Sequence, residues 1–168
     1  MKTVLLWRHA KSSRPLDGTS DEKRPLAKRG IRAASRVGEF LAQGDRLPTR
    51  ILISPALRAR ETVEIAVRSG KWRADVVAVP DLYGAAPDDV LRLLREESDE
   101  TQSVLLVGHE PTWSALSSGL IGGGRLRFPT AALARIDVGV SRWSNMDFGR
   151  GHLVWFVTPR LLVDGDHP

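Results

Sequence analysis

The feature that most constrains this chain is a set of three short apolar runs, each halting abruptly at polar residues. Val4-Leu5-Leu6-Trp7 stops at Arg8-His9. Ile51-Leu52-Ile53 stops at Ser54-Pro55-Ala56-Leu57-Arg58-Ala59. Val104-Leu105-Leu106-Val107 stops at Gly108-His109-Glu110-Pro111. Continuous apolar runs of about four residues, without alternation, suit strands covered on both faces. The expectation is an α/β fold: a three-layer sandwich with a mostly parallel central sheet and helices on both sides. Ligands of such sheets bind just outside the carboxyl ends of the strands. If the three strands lie side by side and parallel, Arg8, His9, Arg58 and His109 converge on one pocket. Two arginines and two histidines there suit an anionic, tetrahedral group.

These residue types match the demands of phosphoryl transfer, which needs an in-line nucleophile and positive charge around three equatorial oxygens. A neutral imidazole can attack phosphorus and become phosphorylated. Arginine forks hold the oxygens with a permanent charge, and a second, protonated imidazole adds a donor. A metal alternative is weaker. His109-Glu110 opens like the zinc pattern His-Glu-x-x-His, but the residue four after His109 is Trp113, and no carboxylate cluster flanks His9. No metal site and no cofactor are expected. His152, at the start of a strand, and His167, in a polar tail, receive no role.

The chain's 168 residues fit a single domain, 1–168, able to bury a proper core. There is no cysteine, which excludes disulfides, thiolate catalysis and cysteine-ligated zinc. Neither a signal peptide nor a run of transmembrane length is visible, so a cytoplasmic location and no membrane partner are expected. The formal net charge is +5, and 20 of the 25 basic residues are Arg. They are scattered without interleaved aromatics, which reads as a solvated surface rather than a nucleic-acid site. Such a balance still draws acidic or phosphorylated partners.

Taken in order, residues 10–24 read as a loop in which Lys11, Ser12 and Ser13 could donate to a phosphate. Periodicity predicts a helix from Leu26 to Gln43, with Ile31, Ala34, Val37 and Leu41 inward and Gly44 as its stop. A second helix follows, with Ser54 as N-cap, Pro55 at its first position, Arg58 in its first turn and Arg60 at the surface. Val76 to Val79 is a strand, Pro80 to Gly84 a loop bordering the pocket, and Asp88 to Glu97 a helix. Pro111 opens a helix whose amino end lies beside His109. Gly122-Gly123-Gly124 ends it as a turn. Ala132 to Val138 and His152 to Val157 extend the sheet across a loose stretch around Ser141 to Gly151, and Pro159 begins a tail.

With those residues in view, the chain resembles the histidine phosphatase (phosphoglycerate-mutase-like) superfamily. Arg8-His9 stands where that family has Arg-His-Gly, with Ala10 replacing the glycine. Ser54, Arg58, Ala59 and Thr62 fit its second motif, with Leu57 one position late, and Gly108-His109 fits the third. Arg8 to Ser13, Arg24-Pro25-Leu26 to Gly30, Gly108 to Pro111 and the ending Trp155 to Leu162 resemble the small SixA-type phosphohistidine phosphatases. The resemblance covers nearly the whole chain. It implies a phosphoglycerate-mutase-like fold, His9 as the phosphorylated nucleophile, and Arg8, Arg58 and His109 as phosphate ligands; the loop reading above adds Ser12 as a phosphate-binding donor. Glu110 occupies the place of the proton-donating carboxylate of acid-phosphatase relatives; Asp81 and Asp88 stay open as alternatives.

The expected activity is metal-independent hydrolysis through a phosphohistidine enzyme intermediate, acting on protein phosphohistidine. Only 50 residues lie between Arg58 and His109. Larger relatives insert helices there to roof the pocket, so a short link implies an open site that admits a phosphate carried on a protein. The alternatives are a broad small-molecule phosphomonoesterase and a silent phosphoprotein-binding module. The expected partner is a phosphorylated protein or a small phosphomonoester, met by a monomer.

Overall fold

The computed structural model describes residues 1–15, 17–44 and 46–162; Asp45 in the expected linker, and the tail from residue 163 with His167, lie outside them. Six strands form one sheet: β1 (Lys2–Arg8), β2 (Arg50–Ile53), β3 (Val76–Ala78), β4 (Ser103–Gly108), β5 (Leu133–Val138) and β6 (Gly151–Val157). Their spatial order is β3-β2-β4-β1-β5-β6. β1 pairs parallel with β4, β4 with β2, and β2 with β3. β5 runs antiparallel to β1, and β6 antiparallel to β5. The three apolar runs are therefore the three central, adjacent, parallel strands. Their carboxyl ends lie at one edge, where Arg8 aligns with Gly108 and Ile53 with Val107.

Four helices cover the sheet: α1 (Lys28–Ala42), α2 (Leu57–Gly70), α3 (Pro87–Arg95) and α4 (Thr112–Leu120). Alternate strand residues face opposite sides. Leu5 and Trp7 share a core with Val37 and Leu41 of α1 and Val63 and Ala66 of α2. Val4 and Leu6 share the other with Leu91 and Leu94 of α3 and Leu116 and Leu120 of α4. Each such fully buried aliphatic contributes about 1.5–3 kcal/mol of transfer free energy, which explains why these runs lack alternation. Among the described residues no helix is long and apolar enough to cross a membrane.

Several local expectations need correction. Ile31 is 44% exposed, and the inward face of α1 is Gly30, Ala34, Val37, Gly38 and Leu41. Close backbone approach decides this. A Cβ on Gly30 would sit 2.2 Å from the Lys11 carbonyl oxygen, and one on Gly38 2.3 Å from that of Ala66. The helix rests on its two glycines, which turns Ile31 outward. The second helix begins at Leu57 with Ala56 as its N-cap, which leaves Ser54 and Pro55 ahead of it; the Ser54 hydroxyl accepts from Ala56 N–H at 3.3 Å and meets His109 Nε2 at 2.7 Å.

The stretch around Ser141 to Gly151 is not loose. Trp143 is fully buried, its indole Nε1 donates to the Thr101 carbonyl at 2.8 Å, and its backbone N–H donates to Asp99 Oδ1 at 2.9 Å. One large aromatic with two satisfied donors orders a segment whose composition suggests a flexible loop.

Candidate active site

His9 lies one residue past β1 and is held by the sheet itself. Its N–H donates to the Gly108 carbonyl at 3.0 Å, and its own carbonyl accepts from Ala131 N–H at 3.2 Å. The next N–H, of Ala10, donates to Thr62 Oγ1 at 3.0 Å, and that hydroxyl donates to the Arg58 carbonyl. Thr62 of α2 thus ties the loop after His9 to the turn that carries Arg58. Gly30 admits the same loop against α1, which leaves little room for it to shift.

His9 is only 8% exposed. Its Nδ1 lies 2.8 Å from the Ala10 carbonyl, an acceptor, so Nδ1 carries the proton and Nε2 presents a lone pair. Arg58 Nε donates to that Nε2 at 3.3 Å. Burial, followed by the nearby His109, Arg58 and Arg8, lowers the ring's pKa to about 3 despite the Ala10 hydrogen bond. The ring is neutral at physiological pH.

His109 follows β4, and its ring centroid is 5.1 Å from that of His9. Its Nδ1 lies 3.4 Å from Arg58 Nη2 and its Nε2 2.7 Å from Ser54 Oγ. A guanidinium only donates, so Nδ1 is the acceptor and Nε2–H donates to Ser54. Burial and then Arg58 lower the His109 pKa to about 4.

Arg58 connects both rings to a residue that sequence reasoning missed. Its Nη1 donates to the Asp21 carbonyl at 2.6 Å and its Nη2 to Asp21 Oδ2 at 2.9 Å. Asp21 belongs to a 3-10 turn, Asp21–Lys23. The same carboxylate accepts from Arg24 Nη1 and from the Tyr83 hydroxyl, both at 2.8 Å. These bonds, Arg24's foremost, hold it well below the usual carboxylate range. Tyr83 stands edge-on to His109, centroids 5.4 Å apart, so the loop expected to border the pocket does so. A spacing of three between Asp21 and Arg24 was the available signal; nothing local pointed across the sheet to Arg58.

Arg8 directs Nη1 to the Phe128 carbonyl at 2.6 Å, while its buried Nε has no hydrogen-bond partner among the described residues. Burial lowers its pKa, and the charge of Glu110 opposes that shift. Glu110 is itself engaged. Oε1 accepts from Ser114 Oγ at 2.7 Å and Phe128 N–H at 3.1 Å, and Oε2 from Ser114 N–H at 3.3 Å. Ser12 is buried, and its hydroxyl accepts from Arg24 Nη2 at 2.9 Å. Asp81 and Asp88 make no side-chain hydrogen bond to Arg8, His9, Arg58 or His109. Among the described residues no group of three or more His, Asp or Glu side chains is placed to hold a metal ion.

The family model of the histidine phosphatase superfamily (branch 1) matches residues 4–83. An uncharacterized protein of Mycobacterium leprae is 38% identical over 91% of this chain and 99% of its own length. A solved structure named as a candidate phosphohistidine phosphatase SixA from Agrobacterium tumefaciens superposes with a TM-score of 0.80 at 32% identity, covering 94% of this chain and 98% of the other.

The chain belongs to the histidine phosphatase superfamily.

Within this superfamily it is of the SixA type. The protein histidine phosphatase SixA complexed with tungstate matches with a TM-score of 0.82 at 27% identity, over 96% of this chain and 99% of that one. The phosphoglycerate-mutase-like sheet with helices on both faces is the fold of these histidine phosphatases. Membership and these neighbours support phosphatase activity.

Proposed function

We propose that this histidine phosphatase hydrolyses protein phosphohistidine without a metal, passing the phosphoryl group through Nε2 of His9. The observation that carries the reading is the His9 tautomer. The Ala10 carbonyl holds the proton on Nδ1, so an uncharged Nε2 faces the Arg58–His109 side of the cup.

Nε2 of His9 attacks phosphorus as the bond to the substrate's imidazole nitrogen breaks. A substrate imidazole already protonated on its second nitrogen leaves as neutral imidazole, so this step needs no separate acid. Arg8, Arg58 and His109 hold the phosphoryl oxygens. An entering dianion favours protonation of His109, whose Nδ1–H then becomes a donor. The intermediate is His9 carrying phosphorus on Nε2 and a proton on Nδ1. Water attacks phosphorus, one water proton remains with the released phosphate or passes to solvent, and the Nε2–P bond breaks to return neutral His9.

Glu110 then acts as a positioning residue. It fixes the Phe128 peptide whose carbonyl holds Arg8, instead of giving up a proton. Ser12 reaches the phosphate only if its hydroxyl hydrogen, unused in its bond from Arg24, is directed there. Tungstate, bound by a SixA neighbour, is a tetrahedral oxyanion like phosphate. A protein substrate is supported by the segment between α2 and β4, which holds only β3, a 3-10 turn (Pro80–Leu82) and α3. No additional helix stands there to roof the cup.

Rapid quench with radiolabelled phosphohistidine protein tests the proposal. The expected product is an acid-labile, base-stable phosphoenzyme that is lost in His9→Ala. Equal or faster turnover of sugar phosphates would instead favour a small-molecule phosphomonoesterase. Binding with no label would mark a silent module.

A further inference from the structure

We propose that a basic groove beside the catalytic cup is a docking surface for an acidic segment of the phosphoprotein substrate, an inference that rests on the protein-substrate reading above. The groove encloses about 650 Å³ and is lined by Lys11, Arg29, Arg32, Arg36 and Arg160, with Thr130 and other small or apolar side chains between them. Among the described residues no carboxylate and no aromatic lines it.

Three elements bring these cations together. Lys11 sits two residues after His9. Arg29, Arg32 and Arg36 recur at helical spacing along α1, so they share one face. Arg160 follows β6, whose Val157 aligns with Leu133 of β5, which in turn aligns with Trp7 of β1. β6 therefore ends at the same edge of the sheet as β1, and the groove opens at the catalytic end. Its other wall, Pro129-Thr130, directly precedes Ala131, whose N–H bonds the carbonyls of Arg8 and His9. The sequence reading of scattered arginines is thus corrected for this face, where residues from positions 11 to 160 gather.

None of the five cations is in an ion pair or makes a side-chain hydrogen bond among the described residues. Lys11, Arg29, Arg32 and Arg160 are exposed and Arg36 is half-buried. Among the described residues no buried side-chain donor lines the groove, as a site for one small anion requires. Like charges along two walls suit an extended run of carboxylates. The lack of aromatics removes the stacking platform that single-stranded nucleic acids use.

The direct test is fluorescence anisotropy of a labelled Asp/Glu-rich peptide with the full chain and with Arg32→Glu/Arg160→Glu, which changes both walls and no residue of the cup. The expected result is salt-sensitive binding that weakens by about tenfold in the variant. KM for an acidic phosphohistidine protein should rise by a similar factor, with kcat and the turnover of a small phosphoramidate unchanged. Equal binding and equal KM in the variant overturn the proposal. So does tighter binding of a single-stranded oligonucleotide of matched length, or self-association that the two reversals abolish. Peptide binding needs no turnover, so the two readings fail separately. Absent groove binding with intact phosphohistidine hydrolysis overturns docking alone, whereas groove binding with no phosphohistidine hydrolysis overturns the catalytic reading.

Discussion

Asp21 lays its carboxylate on the guanidinium of Arg58, with Oδ2 2.9 Å from Nη2, although the aspartate side chain is 52% exposed and the arginine only 8%. A solvent-facing anion thus occupies donors that the proposed mechanism gives to the phosphoryl group. Replacement by Asn keeps the shape and removes the competing charge. Asp21→Asn should therefore bind tungstate or inorganic phosphate about 2–5-fold more tightly, the range of an exposed ion pair. Inhibition constants measure this. Weaker binding in the variant would show that Asp21 orients Arg58 and does not compete for it.

The two histidines make stability fall in acid. Both are ordinary imidazoles when unfolded, at 6.5, and are lowered in the fold to about 3 for His9 and about 4 for His109, by burial first. Between these values the unfolded chain binds more protons, so their stabilisation is complete above pH 6.5 and is lost as pH falls toward 3. A loss of roughly 2–4 kcal/mol between pH 7 and pH 4 is expected after allowing for partial exposure. Denaturant midpoints should decline over that range, and more steeply in wild type than in His9→Gln. Parallel slopes in the two proteins would remove His9 from the effect.

For Glu110, positioning and proton donation predict different behaviour. Glu110→Ala leaves the Phe128 N–H and the Ser114 hydroxyl without their acceptor, which costs about 1–3 kcal/mol per buried unsatisfied group. Through Arg8 it should also lower kcat/KM by about tenfold. Glu110→Gln retains an acceptor oxygen and should hydrolyse phosphohistidine near the wild-type rate. If Gln abolishes turnover while the fold melts normally, Glu110 is the acid.

Gly30 supports the loop after His9 by having no side chain. A methyl group there meets the Lys11 carbonyl and amide, so Gly30→Ala should cost about 1–3 kcal/mol as overpacking and reduce activity with it. Gly44 is the control. Its φ is +67° with open space around it, so Gly44→Ala should cost about 1 kcal/mol of backbone strain and leave turnover unchanged. Thermal melts and a single activity assay compare the two.

The strands and the four histidines and arginines expected at the site were readable because each closes or follows an unbroken apolar run, at once or within a few residues. Arg8 closes β1, His9 and His109 follow their strands at once, and Arg58 lies in the first turn of α2. Asp21 and Tyr83 were not readable as ligands of the site, since their meeting depends on a loop crossing the strand ends. Ser54 was misread because α2 starts three residues later, at Leu57, so its hydroxyl serves the turn before the helix and His109 together. Ile31 was misread because periodicity weighs side chains, whereas α1 is seated by the two residues that have none. The groove was invisible for a similar reason: Arg160 joins the α1 arginines only through the register of β6 on β5.

Both peptide groups that flank the His9 ring are clamped by neighbouring chain segments, at Gly108 and Ala131 on one side and Thr62 on the other. In the proposed mechanism the attacking atom is consequently positioned when the protein folds, and little ordering is left for the proposed phosphoprotein substrate to impose. Recognition and chemistry are then separable, so the same anchored imidazole can serve whatever cargo the outer surface selects.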